Sequence, residues 1–316
     1  MKKSVCVIGG GLAGGIVAST LAARGHAVSL VELGNDPAPL HPGDEVWNGA
    51  QLKTPFTRGR GIGGTSNFWH GGLTVLDRTD VEGIAGHDER ARAPISYGLL
   101  REYYAKAVAV VGGHGQCSLD EIESPPEAPV DGFSSAGDTF RLKALLYPDK
   151  PFSTGPLIRH AQKSYGLKVF PDIEVLRLVS SGSRRVGYAE GVDLKTGAER
   201  RIAGDIFVLS AGGLGSPKIL LRSTGACPPL ERLPIGQFII DHPTGFVFKA
   251  KLRRRMALEP LFGVHRNGHK LRYGFALCPE RLGDADFRNH ILYLRPAVSM
   301  KDPATYDALK RKLVSY

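Results

Sequence analysis

Gly9-Gly10-Gly11-Leu12-Ala13-Gly14 sets three glycines at the spacing GxGxxG. In that pattern Gly9 allows a tight turn out of a strand, Gly11 lets the backbone approach a pyrophosphate, and Gly14 lets a helix pack close to the strand. The first N–H groups of that helix, around Leu12 and Ala13, then face the phosphates with the partial positive charge of the helix end. Glu32 follows eighteen residues past Gly14, the place for an acid that binds ribose hydroxyls, and an acid there disfavours a ribose 2′-phosphate. The chemistry implied is the holding of an adenine dinucleotide, NAD or FAD.

A second stretch, "GRGIGGTSNFWHGG" (Gly59–Gly72), combines many glycines with Phe68, Trp69 and His70. Glycine loses the most backbone entropy on ordering. The stretch is therefore either a slack surface loop or a backbone that lies flat against a large ligand.

These residues need a scaffold, and the flanking sequence supplies one. "SVCVIGG" is a short apolar strand, "LAGGIVASTLAARG" a helix closed by Gly25, and "HAVSLVEL" a second buried strand. Such β-Gly-α-β units imply a parallel sheet. From Pro37 to Gly72 the composition is that of a loop. "SYGLLREYYAKAVAVVGG" predicts a helix capped by Ser96, with Leu99, Leu100, Tyr103, Tyr104, Ala107, Val108 and Val111 on one face. "SLDEIESPPEAPVDGFSSAGD" predicts an acidic flap, and order resumes at Pro151 with the helix "GPLIRHAQKSYG". Strands and a meander follow, with a turn at Thr196-Gly197. "DIFVLSAGGLGSPKILLRSTG" is a strand, a Gly212-Gly213 turn, and a helix expected to start with Ser216 as N-cap and Pro217 at its first position.

The chain has 316 residues, 42% hydrophobic and 23% charged, an ordinary globular composition. Its net charge of +10 is dispersed, with short runs only at Arg253–Arg255 and Lys310–Lys312 and no nucleic-acid module, so a nucleic-acid partner is not expected. There is no apolar run of membrane-spanning length and no export signal, and the four cysteines form no CxxC pair; a cytoplasmic location is expected. His265 and His269 stand four apart but flank a turn, so no metal site is expected there.

"SAGGLGSPKILLRSTG" and "GRGIGGTSNFWHGG" resemble the two signatures of the glucose–methanol–choline (GMC) flavoprotein oxidoreductases. "YGLLREYYAKAVAVVG" and "LPIGQFIIDHP" resemble two further stretches of that family, and all four occur in family order between Lys3 and Pro243. The resemblance implies an α/β fold: a Rossmann-like FAD/NAD(P)-binding domain of the glutathione-reductase type, with a central parallel sheet and a β-meander, plus a partial α+β substrate domain. Residues 1–75 and 151–245 would form the FAD domain, 76–150 an insertion, and 246–316 the start of the substrate domain. Gly9, Gly11 and Gly14 would hold the FAD pyrophosphate, Glu32 the ribose and Val175 the adenine. Ala211 and Gly212 would lie beside the dinucleotide. Gly63, Gly64, Thr65, Asn67, Phe68, Trp69, His70 and Gly71 would lie against the isoalloxazine ring.

Phe68 stands where some members carry a histidine that binds FAD covalently, so dissociable FAD is expected. The implied reaction oxidises the CH–OH group of an alcohol or sugar by hydride transfer to flavin N5, with oxygen or a carrier as electron acceptor. The family's late histidine base and last Gly-rich signature find no match from Thr244 to Tyr316. The base is therefore expected in a further segment or a second chain, and His242 is read as an ordinary buried histidine. Two alternatives remain open. One is a non-catalytic FAD-binding subunit. The other is an amine-oxidase-like or NAD(P)H-linked flavoenzyme, against which the single GxGxxG speaks.

Overall fold

The computed structural model describes residues 3–40, 46–47, 50–51, 58–83, 94–112, 118–123, 139–182, 185–237, 259–266, 269–282 and 290–294. Cys117, the Pro-rich part of the acidic tract, Asp241-His242-Pro243 and both basic runs lie outside them. In chain order the elements are β1 (Ser4–Ile8), α1 (Leu12–Ala23), β2 (Ala27–Val31), β3 (Ala38–Pro39), β4 (Val46–Trp47), β5 (Ala50–Gln51) and β6 (Gly59–Arg60). Next come α2 (Arg78–Glu82), α3 (Tyr97–Val111), α4 (Leu119–Glu123), β7 (Phe140–Pro148), α5 (Thr154–Tyr165), β8 (Lys168–Phe170), β9 (Ile173–Ser180), β10 (Val186–Asp193), β11 (Glu199–Ala203) and β12 (Ile206–Leu209). The last are α6 (Gly212–Ser223), α7 (Glu259–Phe262), β13 (Val264–Arg266), β14 (His269–Leu277), α8 (Pro279–Leu282) and β15 (Ile291–Leu292).

The contacts divide the chain into two units, residues 1–71 with 151–242, and residues 72–150 with 243–316. The first is built on a four-stranded parallel sheet in the order β12-β1-β2-β8. β1 reads apolar at every position after Ser4 because both of its faces are covered, as a parallel strand requires. Val5 and Val7 pack on one side with Ala18 and Ala22 of α1 and Ile158 and Ala161 of α5. Cys6 and Ile8 pack on the other with Ile173, Val175 and Leu178 of β9, Ala189 of β10, Ile202 of β11 and Ile219 of α6. The antiparallel meander β9-β10-β11 is thus a third layer across the sheet from α1 and α5. This is a mixed α/β, Rossmann-like architecture. Of the predicted strands, β8 and β12 join the parallel sheet, and only β9 to β11 form the meander.

The second unit pairs β7 with β14 antiparallel over nine residues, from Phe140 opposite Leu277 to Pro148 opposite His269. β13 and β15 also pair with β14. Leu146, Ala144, Leu271 and Tyr273 point into a core with Val75, Val108, Leu119, Ile122 and Leu261. Two expectations change here. Order returns at Phe140 rather than Pro151, because Leu142, Ala144 and Leu146 recur at every second position and give β7 one apolar face, with Arg141, Lys143, Leu145 and Tyr147 on the other. Residues 119–123 are helical, because Leu119 and Ile122 at i, i+3 anchor α4 in that core. Ser96 caps α3 as expected, its Oγ accepting the Leu99 N–H at 3.3 Å. Only the far end of α3 is buried, at Val108 and Val111; Leu99 and Tyr103 are exposed.

Candidate cofactor-binding site

The site begins at the C-terminal ends of β1 and β12. The register sets Ile8 beside Leu209, and the chain after each strand turns away at glycine. Gly9 has φ +99°, and its N–H donates to Val31 O at 2.9 Å. Ser210 joins the two turns, its hydroxyl donating to Ile8 O at 3.0 Å. A Cβ on Gly14 would collide with Gly9 O and Ser210 Oγ, so only glycine lets α1 start this close to the strand ends. This is the packing role that the spacing assigns to the third glycine.

Gly11 is different. It is the N-cap of α1 with φ −66°, a conformation any residue adopts, and a Cβ there would meet nothing within 4 Å. Neither strain nor packing asks for glycine at this position, and the added carbon would stand in open space in front of the helix. Leu12, Ala13 and Gly14 form the first turn of α1, whose N–H groups have no partner within the helix. Gly213, in the first turn of α6, likewise has open space where a Cβ would stand. Two helix starts therefore flank an open cradle beside the same strand ends, a shape and polarity suited to a diphosphate.

α6 begins five residues earlier than expected. Ala211 is its N-cap, Gly212 its first residue with φ +82°, and Pro217 lies inside it. The glycine turn itself enters the helix, so the free N–H groups sit at the end of β12 rather than at Ser216.

Glu32 is 6% exposed. Its Oε2 accepts the Gly10 N–H at 2.6 Å, and its Oε1 accepts the N–H groups of Leu33 at 2.9 Å and Gly61 at 3.2 Å. Burial pushes its pKa up, and the backbone N–H groups pull against that shift. The carboxylate thus links the phosphate cradle to the start of the Gly59–Gly72 loop.

That loop is held against the cradle. Gly64 opens a short 3₁₀ turn over Gly64–Asn67, and a Cβ on it would come 2.9 Å from the Gly11 Cα. Ser66 is buried; its hydroxyl donates to Gly63 O at 2.5 Å and accepts the Thr154 N–H at 3.1 Å. Thr154, wholly buried at the start of α5, donates its hydroxyl to Gly10 O at 3.1 Å. Asn67 donates to Ile62 O at 3.1 Å and Gly64 O at 3.0 Å, and accepts from the Ser153 hydroxyl at 2.6 Å. The Trp69 indole N–H donates to Phe152 O at 2.7 Å. Phe68 lays its ring on Gly59, while Thr65 and His70 are exposed and Gly71 turns the chain beside Pro151.

The loop is therefore neither slack nor self-supporting, since residues 152–154 fasten it. Ser66, Ser153 and Thr154 escaped the sequence reading. The available signal was the Ser-Thr pair that opens a well-patterned helix directly after Pro151 and Phe152.

Val175 is buried in β9 with its backbone paired to Gly191 of β10. Ala211 lies against Gly9, its Cα 2.9 Å from where a Gly9 Cβ would stand. His265 and His269, at which no metal site is expected, lie on the paired strands β13 and β14, with His265 exposed and His269 fully buried. Among the described residues no group of three or more His, Cys, Asp or Glu could hold a metal ion. Among them, too, no helix is long and apolar enough to cross a membrane.

No protein-family model and no curated protein matches this chain. Solved structures do. Pyridoxine 4-oxidase from Mesorbium loti is similar over 70% of this chain and 52% of its own, at 19% identity and a TM-score of 0.46. A fungal aryl-alcohol oxidase is similar over 70% and 48%, at 15% identity and a TM-score of 0.44. A formate oxidase from Aspergillus oryzae is similar over 74% and 50%, at 16% identity and a TM-score of 0.42. All three are GMC oxidoreductases, and the chain spans about half the length of each.

Proposed function

We propose that this chain is the FAD-binding part of a GMC-type oxidoreductase that oxidises the CH–OH group of an alcohol or sugar. The observation that carries the FAD reading is Gly11, a glycine that neither its conformation nor its neighbours require, facing open space at the start of α1. The residues fit the cofactor. The first-turn N–H groups at Leu12, Ala13 and Gly14 would hold the diphosphate, supported by the α1 dipole and the start of α6. Glu32 keeps the cradle and the loop in register, and Oε2, with one backbone donor, retains a lone pair for a ribose hydroxyl. Val175 would meet the adenine, and Ala211 and Gly212 the dinucleotide.

Gly63 to Gly71 would form the bed for the isoalloxazine ring. Bound there, the flavin supplies a two-electron acceptor for the hydride of the alcohol carbon. Among this chain's own residues, Thr154, Ser66 and Asn67 hold that bed rigid, and Trp69 fixes its far end through Phe152. Phe68 cannot form the histidyl–flavin bond, so FAD is held without a covalent link. The alcohol or sugar assignment rests on the two signature-like stretches.

The test is reconstitution. The full chain, incubated with FAD and gel-filtered, is expected to retain flavin absorbance and to release all of it on acid precipitation. Gly11→Val is expected to lose retention while its thermal unfolding stays near wild type. Failure of the wild type to retain FAD, or retention by Gly11→Val equal to wild type, overturns the reading.

A further inference from the structure

In the second unit one face of the β7–β14 sheet is committed to the core through Leu146, Leu271 and Tyr273. Side chains alternate along a strand, so the opposite face carries Tyr147 of β7 and Lys270 and Arg272 of β14. The register sets Tyr147 directly across from Lys270 and diagonally from Arg272. Tyr293, one residue past β15, lies on this face too. Its ring rests on Gly274, where a Cβ would come within 2.8 Å of it, and the Arg272 guanidinium stands 4.6 Å from the ring centroid. Tyr147 rests on Gly72 in the same way, at 2.8 Å from where a Cβ would be. Two glycines thus leave room for the two phenol rings, one of them against the Arg272 guanidinium.

The polar groups here are not spent. The Tyr293 hydroxyl is buried and has no hydrogen-bond partner among the described residues. Native proteins seldom leave such a group unpaired, and each instance asks for an explanation. Burial, and then the nearness of Tyr147, push the Tyr293 pKa up, so the phenol keeps its proton and acts as a donor. Arg272 and Lys270 have no carboxylate partner among the described residues. Asp77 is engaged further along β7, by Arg141 and by Lys143 Nζ at 3.0 Å. Apart from Asp77, which Arg141 and Lys143 engage, the face therefore holds phenols and positive charge without a carboxylate among the described residues.

We propose that Tyr147, Arg272 and Tyr293 form a binding site for the oxyanion of a small molecule, either a carboxylate or a phosphate ester. The phenols donate O–H hydrogen bonds, the guanidinium donates and supplies charge, and Lys270 adds a second cation. The ligand provides the acceptor that Tyr293 lacks. The site requires neither a bound flavin nor turnover, so it stands or falls apart from the FAD reading.

Calorimetric titration of the full chain at neutral pH, with benzoate, phenyl phosphate and the neutral control benzamide, tests it. One anion at least is expected to bind saturably while benzamide does not, and the stronger of the two identifies the oxyanion. Tyr293→Phe is expected to weaken that binding about fivefold and Arg272→Gln about tenfold or more. Tyr293→Phe removes only an unpartnered hydroxyl, so without ligand it is expected to melt at or above the wild-type temperature. The proposal is overturned if neither anion binds, if benzamide binds equally, or if Tyr293→Phe binds as tightly as wild type. A lower melting temperature for Tyr293→Phe also overturns it, because the hydroxyl would then have a partner within the protein. Should Arg272→Gln fail to fold, the phenylalanine variant decides alone.

Discussion

The Glu32 carboxylate accepts the N–H of Gly61 at 3.2 Å, while its other oxygen accepts the N–H of Gly10 at 2.6 Å. One buried side chain thereby sets the spacing between the phosphate cradle and the glycine-rich loop. Glu32→Gln keeps the shape but turns an NH₂ toward backbone donors, and about 1–3 kcal/mol of stability is expected to be lost at pH 7. Urea unfolding of both proteins measures it.

The pH dependence of that difference has a definite sign. Burial raises the Glu32 pKa in the folded state, so the native protein holds this proton more tightly than the unfolded chain does. The group's contribution is fully present below its unfolded pKa of about 4.3 and declines as pH rises through the folded value. Wild-type stability measured against Glu32→Gln is therefore expected to fall as pH rises above about 4.5 and through the raised folded-state pKa. A difference that grows over that window contradicts the assignment of burial as the dominant cause.

Gly11 and Gly14 separate binding from folding. Gly14→Ala drives a methyl into Gly9 O and Ser210 Oγ, and about 2–3 kcal/mol of destabilisation is expected whether or not FAD is present. Gly11→Ala meets no neighbour and is expected to leave apo stability within about 0.5 kcal/mol. Its FAD affinity is expected to drop at least tenfold, read by quenching of flavin fluorescence.

Thr154→Val preserves volume and deletes the donor to Gly10 O. That carbonyl would lose its donor and the Ser66 hydroxyl its contact with Thr154 Oγ1 at 3.2 Å, though not the Thr154 N–H, and about 1–3 kcal/mol of stability is expected to go. FAD affinity is expected to fall with it, because Ser66 belongs to the loop. An unchanged unfolding midpoint would show that the network does not hold the loop.

Cys6 is fully buried in β1, and burial pushes its thiol up to about 11. It is expected to resist a thiol reagent at pH 8 until the chain unfolds, whereas the partly exposed Cys278 reacts in the native state. Mass spectrometry of the labelled peptides distinguishes the two.

The parallel sheet and the cradle were legible because their signals are local: apolar runs closed by glycine, a fixed glycine spacing, and an acid at the end of the second strand. The fastening of the loop was not. Thr154 lies 88 residues from Ser66 and 144 from Gly10, and a small hydroxyl leaves no periodic trace in sequence. Arg141 and Lys143 masked β7, because cations at alternate positions read as a solvated stretch. They stand instead around Asp77, with Lys143 only 5% exposed. At α6 the Ser-Pro pair is a good helix start by local rules. The helix nevertheless starts at Gly212, directly after the Ala211 cap, with a positive φ that glycine permits.

The pairing of β7 with β14 also sets a timetable. The two strands are separated by about 120 residues of chain. At ribosomal speeds of about 5–20 residues per second, β7 emerges roughly 6–25 s before its partner exists. Throughout that interval Leu142, Ala144 and Leu146 lack their nine-residue partner strand, and among the described residues already made only Leu73 bridges β7, at Leu146. The growing chain is therefore most exposed to misassociation after Pro148 and before His269, and a chaperone acting in that window protects the yield of folded protein.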